Sequence, residues 1–160
     1  MIINQGIEHL YEIKLAHSLS CELRSRLIDQ ILISSIQQRR TGRVYGAIFR
    51  AIKEGNFQFV YDIVKADPQL LFTCDSKSTC IFSFAVQYRH AKIFSLIYGL
   101  HTKHVVASST DSFYGNNLLH TAGMRAASTS LNDIPGAALQ MQRELQWFKV
   151  ISLTFNFSVF

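Results

Sequence analysis

Charge is scarce in this sequence. Of 160 residues only 17% are charged, with 16 basic residues against 11 acidic ones. The net charge of +5 is modest and scattered. Its densest cluster, Arg39-Arg40 with Arg43, is shorter than the basic run a nucleic-acid patch needs, so no nucleic-acid partner is expected. With 48% apolar residues, the low charge also excludes a disordered chain. No apolar run approaches the ~20 residues that span a bilayer as a helix. The start, Met-Ile-Ile-Asn-Gln-Gly, lacks the basic and apolar regions of a secretory signal. As written, the chain is expected to be soluble and cytoplasmic. Cysteine is sparse too. Cys21, Cys74 and Cys80 make an odd count without framework spacing, which predicts free thiols in a reducing compartment.

Catalytic signatures are absent as well. There is no G-x-S-x-G, no phosphate-binding glycine loop and no H-E-x-x-H. The carboxylates Glu54, Asp62, Asp67, Asp75 and Asp111 fall at turns or on polar helix faces, where they read as solvated. Cys74, Cys80, His90, His101 and His104 come nearest to a zinc set. They miss the paired C-x₂₋₄-C and H-x₃₋₅-H spacing such sites use. The reading is therefore non-enzymatic, with no catalytic residue, cofactor or metal.

What is present is a repeated pattern. The run Gly115-Asn116-Asn117-Leu118-Leu119-His120-Thr121-Ala122 reads as the opening of an ankyrin repeat, a turn closing on a short helix. Residues 46–51 and 80–85 fall into register with it. Aligned on the core alanines Ala51, Ala85 and Ala122, the copies lie 34 and 37 residues apart, near the ankyrin period of about 33. The excess falls in the loop 99–111. Small alanines let neighbouring inner helices approach, while Ile48, Phe82 or Leu119 fills the layer between them. Asn117 caps a helix start, and His120 is expected to bond nearby turn backbone and not to catalyse. Phe49 and Ser83 stand at the histidine position in the first two copies, which are degenerate. The predicted fold class is an all-α ankyrin-repeat solenoid of about three degenerate helix-turn-helix repeats. The structural motif residues are Asn117, Leu119, His120, Ala122, Ala85 and Ala51.

Three segments follow from the pattern. Residues 1–40 are an N-terminal helical segment, with Leu23, Leu27, Ile31, Leu32 and Ile36 at helical steps. Residues 41–149 hold the repeats and a terminal helix, which Asn132 or Asp133 could cap with Pro135 in its first turn. In that helix Ala138, Met141, Leu145 and Phe148 form an apolar stripe expected to close the end of the stack as a cap, a partner-binding helix being the alternative. Residues 150–160 form a divergent hydrophobic tail, alternating apolar and polar residues in a strand-like period of two.

Residues 136–149, with residues 115–120, Lys92-Ile93-Phe94-Ser95-Leu96-Ile97-Tyr98-Gly99-Leu100 and Ile7-Glu8-His9-Leu10-Tyr11-Glu12-Ile13-Lys14-Leu15, closely resemble plant ankyrin-repeat proteins that carry a C-terminal PGG membrane domain. The resemblance covers about residues 7–149. It implies a cytosolic, protein-binding region of a membrane-anchored regulator in stress, defence and cell-death signalling. Anchoring would belong to that family's C-terminal domain, which this sequence lacks. The resemblance carries no catalytic residue or cofactor. Ser78 stands where a turn glycine is usual, and similarity stops at Lys149, as expected of a truncated product. The alternative function is a soluble short form that competes with full-length relatives for partners.

Overall fold

The computed structural model describes residues 2–41, 43–75, 79–112, 114–126 and 136–156. They form helices and turns, without a named strand, so the expected all-α class holds for them. The chain divides into two compact units, Met1–Val44 and Tyr45–Phe160.

The first unit is dominated by α1 (Ile2–Ile33), which contains no proline. Its apolar residues do not gather on one face. Ile7, Leu10, Leu19, Leu23 and Leu27 are all more than half exposed, and Ile28 is buried. The helix stops at Ser34, whose hydroxyl donates to the Gln30 carbonyl at 2.7 Å. Ser35 then opens α2 (Ile36–Thr41) with a reciprocal box. The Gln38 N–H donates to Ser35 Oγ, and the Ser35 N–H donates to Gln38 Oε1. Arg39 Nε reaches back to the Ile31 carbonyl at 2.9 Å, satisfying an acceptor left open at the end of α1.

The second unit begins with a helix pair, α3 (Val44–Lys53) and α4 (Phe57–Ala66). Asn56 caps α4 by accepting from the Phe59 N–H at 3.1 Å. Asp67 stops that helix and caps a 3₁₀ turn, Pro68–Phe72, in which proline takes the first position. A second pair follows, α5 (Ile81–Gln87) and α6 (Ala91–Phe94), the latter running on as a 3₁₀ turn, Ser95–Gly99. Next come α7 (Lys103–Ser108), α8 (Leu118–Gly123) and α9 (Ala137–Asn156). The suggested cap Asn132 or Asp133, Pro135 and Ser78 lie outside the described residues.

The two pairs turn in the same way. At the end of α3 the Asn56 N–H donates to the Ala51 carbonyl (2.8 Å) and the Gly55 N–H to the Ile52 carbonyl (3.0 Å). Thirty-four residues on, the His90 N–H donates to the Ala85 carbonyl (2.9 Å) and the Arg89 N–H to the Val86 carbonyl (3.2 Å). Both are Schellman closures, which require a left-handed residue after the helix. Gly55 (φ 71°) and Arg89 (φ 61°) supply it. Burial repeats at the same interval. Ile48 and Phe82, Ile52 and Val86, Val60 and Phe94, and Ile63 and Ile97 are each at most 2% exposed. The 34-residue spacing of Ala51 and Ala85 thus extends to hydrogen bonds and core.

Two expectations fail at α9. The strand-like tail is not a strand: residues 150–156 continue the helix, and 157–160 lie outside the described residues. Trp147, Ile151 and Thr154 recur at four and three residues, a helical step that outweighs the alternation of period two. Ile151 is 0% and Thr154 2% exposed, and the Thr154 hydroxyl hydrogen-bonds Tyr98 Oη at 3.2 Å. The apolar stripe is also misplaced. Ala138, Met141, Leu145 and Phe148 are exposed, while Glu144 and Trp147 lie on the more buried side that packs towards α7 and α8.

An ion pair explains that choice of face. Arg89 donates through Nε (3.0 Å) and Nη2 (2.6 Å) to the two oxygens of Glu144. The same guanidinium donates to the carbonyls of Val86, Ala122 and Met124, at 2.7, 3.3 and 2.6 Å. It also lies 6.0 Å from the centre of the Trp147 ring. Only 9% of the Arg89 side chain is exposed, so its charge needs an anion and carbonyls around it.

Replacing Ile151 by Ala is expected to cost about 2–5 kcal/mol in chemical unfolding. Leu153→Ala, on the exposed side, should stay within about 0.5 kcal/mol; equal effects would contradict the helical register of residues 150–156. Glu144→Ala is expected to cost about 2 kcal/mol, less than a fully buried pair because the carbonyls still accept from Arg89. A melting curve unchanged by that substitution would remove the ion pair as the determinant of the α9 face.

Candidate functional site

The segments that lead into α5 and α8 are built alike, each around an aspartate. Before α5, the Asp75 N–H donates to the Thr79 carbonyl at 3.0 Å, and the Thr79 N–H donates to Asp75 Oδ1 at 2.8 Å. Before α8, Asp111 accepts from the N–H groups of Tyr114 (2.6 Å) and Asn116 (3.2 Å). Its own N–H donates to the Asn116 carbonyl at 2.9 Å. Gly115 takes the left-handed conformation this closure needs, at φ 67°. Asp75 and Asp111 are therefore turn organisers and not merely solvated carboxylates. An Asp ahead of a helix-starting polar residue is the signal that could have found them.

The start of α8 is a capping box. Asn117 Oδ1 accepts from the His120 N–H at 3.0 Å, and the Asn117 N–H donates to His120 Nδ1 at 3.2 Å. The Thr121 hydroxyl adds a bond to the Asn117 carbonyl at 3.0 Å. His120 thus spends a ring nitrogen on its own turn. Ala85 and Ala122 are buried on α5 and α8, which pack together, while Ala51 is half-buried. Leu119 is half-buried, and its neighbour Leu118, at 2% exposed, is the large core residue of α8 beside Ala122. In a six-residue helix one position separates the inward face from its edge.

A row of rings crosses from the first helix pair to the second. Phe49 lies 4.8 Å from Phe84, Phe84 6.1 Å from Tyr88, and Tyr88 6.4 Å from His90, measured between ring centres. Phe84, Tyr88 and His90 are half-buried, so each presents an edge to solvent. His90 is held by a hydrogen bond between Nε2 and the Lys53 carbonyl at 3.2 Å. Lys53 and Arg50 are exposed beside it on α3, and Arg50 pairs with Glu54 at 2.9 Å. Tyr114, 71% exposed, stands at the turn before α8. Aromatic side chains such as these are enriched at protein contact surfaces. The four-residue step from Phe84 to Tyr88 was readable as a shared helix face; the contact with Phe49 required the fold.

The expected free thiols are corrected at one pair. Cys74 and Cys80 are bonded to each other across the Asp75 turn, and Cys21 is free. The fold places the two together as opposite members of a β-bridge, which a spacing of six residues does not reveal. Among the described residues no cluster of three or more His, Cys, Asp or Glu could hold a metal ion, and no helix is long and apolar enough to cross a membrane.

Comparison with protein-family models, curated proteins and solved structures gives no match to this chain.

Asn117→Ala is expected to cost about 1 kcal/mol, the usual loss of a side-chain helix cap. His120→Ala in the same background should add less than it costs alone, because the two groups form one box. Strict additivity in a double-mutant cycle would show that the box is not a coupled unit.

Proposed function

We propose that residues 45–156 are a divergent ankyrin-type repeat scaffold that binds protein partners and performs no catalysis. The observation that carries this reading is the recurrence, 34 residues apart, of one helix closure and one set of buried positions. A solenoid of short helix pairs is built from such units, and their turns and inner helices commonly form its binding surface. The ring row with Lys53, and Tyr114 at the next turn, supply the contact surface.

The resemblance of residues 7–149 to plant ankyrin proteins with a PGG membrane domain extends the proposal. On that reading the chain is a cytosolic adaptor region in stress and defence signalling, with membrane attachment belonging to that family's C-terminal domain.

The test is capture from plant cell extract on the immobilised chain, compared with a Lys53→Glu/Tyr114→Ala variant whose melting temperature is checked first. The chain is expected to retain a saturable set of proteins. The variant should lose at least about tenfold in affinity for one of them, as when a hot-spot side chain is removed. Equal retention by both proteins would overturn the assigned surface, and the absence of any saturable partner would overturn the function.

A further inference from the structure

The pairing of Cys74 with Cys80 does not rest on the covalent bond alone. Their Cα atoms are 4.1 Å apart, as opposite members of a β-bridge. Between them, Asp75 and Thr79 close the turn by two hydrogen bonds of their own. These bonds involve neither sulfur, so opening the disulfide breaks neither of them. Access is uneven. Cys74 is exposed, whereas Cys80 is half-buried and contributes to an apolar groove of about 290 Å³ with Leu71, Phe72, Val105 and Val106.

We propose that Cys74 and Cys80 form a dithiol–disulfide exchange site for small disulfides of the glutathione class. The Cys74 thiolate, reached from solvent, attacks one sulfur of the small disulfide. A Cys74 mixed disulfide forms and one small thiolate leaves. The Cys80 thiolate then attacks Cys74 Sγ, forming the intramolecular bond and expelling the second small thiolate. Two protein thiols are oxidised, one small disulfide is reduced to two small thiols, and the protons lost by the cysteines are taken up by the thiolates released. The reverse sequence, started by a small thiolate at the exposed Cys74 sulfur, reopens the pair. Cys74 is the entry position and Cys80 the resolving one. The site stands apart from the binding reading, because its chemistry involves no protein partner.

The full chain carrying Cys21→Ser, which removes the third thiol, is equilibrated in buffers of graded reduced-to-oxidised glutathione ratio. Thiols are trapped by an alkylating agent and intact masses are read. The expected result is a direct change from doubly alkylated to unalkylated chain, without an accumulating mixed disulfide. Cys80→Ser in the same background should trap glutathione on Cys74. A chain alkylated twice at every ratio, a persistent glutathione adduct when both cysteines are present, or disulfide-linked dimers would overturn the proposal. Because two cysteines this close in sequence can also pair in an unfolded chain, ring closure is timed with and without denaturing urea at equal pH. Closure at least about tenfold faster in the native chain is expected of reactants held in place. Equal rates would show that the turn does not prepare the pair.

Discussion

A single buried guanidinium connects the later half of the second unit. Arg89 sits at the left-handed residue that closes α5, and its side chain reaches the end of α8 and the middle of α9. Its charge could not be tolerated there without the Glu144 carboxylate and three carbonyl oxygens. The demand runs in both directions. Once Arg89 is committed to that position, α9 must turn Glu144 inward, and Trp147 and Ile151 follow on the same side. The exposure of Met141 and Leu145 is then a consequence of electrostatics, offset by the burial of Ile151 and Thr154 and the partial burial of Trp147.

The repeat interval was visible in sequence because it depends on residue types that recur. Small alanines, and large apolar residues three positions before them, mark the inner helices. Apolar pairs such as Val60 with Phe94 mark the outer ones. Such spacing holds although Phe49 and Ser83, not histidine, stand at the positions that correspond to His120. The face of α9 was not visible, because Glu144 looks like a surface residue until its partner 55 positions away is known. Nor was the continuation of that helix past Lys149. Alternation by two and recurrence by three and four coexist in residues 147–155, and only a core ready to receive Ile151 and Thr154 decides between them. The cysteine pair was hidden for a similar reason: sequence separation gave its length but not the turn that folds it back.

The turns before α5 and α8 show how local bonds prepare a surface. Each is closed by an aspartate that satisfies backbone donors within the turn itself. Side chains on such turns are presented at small entropic cost, which suits recognition better than a loop that must order on binding. The capping box at Asn117 and His120 continues this economy into the first turn of α8.

The two helix closures share a backbone path but not a residue, and that difference has a consequence for how the array can change. Gly55 leaves room that the His90 ring occupies, and a Cβ there would come within 2.7 Å of it. Arg89, at the corresponding place, spends its side chain on the following helices. Neither module could take the other's position: arginine at the first would strike the histidine, and glycine at the second would leave Glu144 without its cation. The two helix pairs are therefore not interchangeable. Removal of the second pair would take away both the ring that packs over Gly55 and the cation that Glu144 holds.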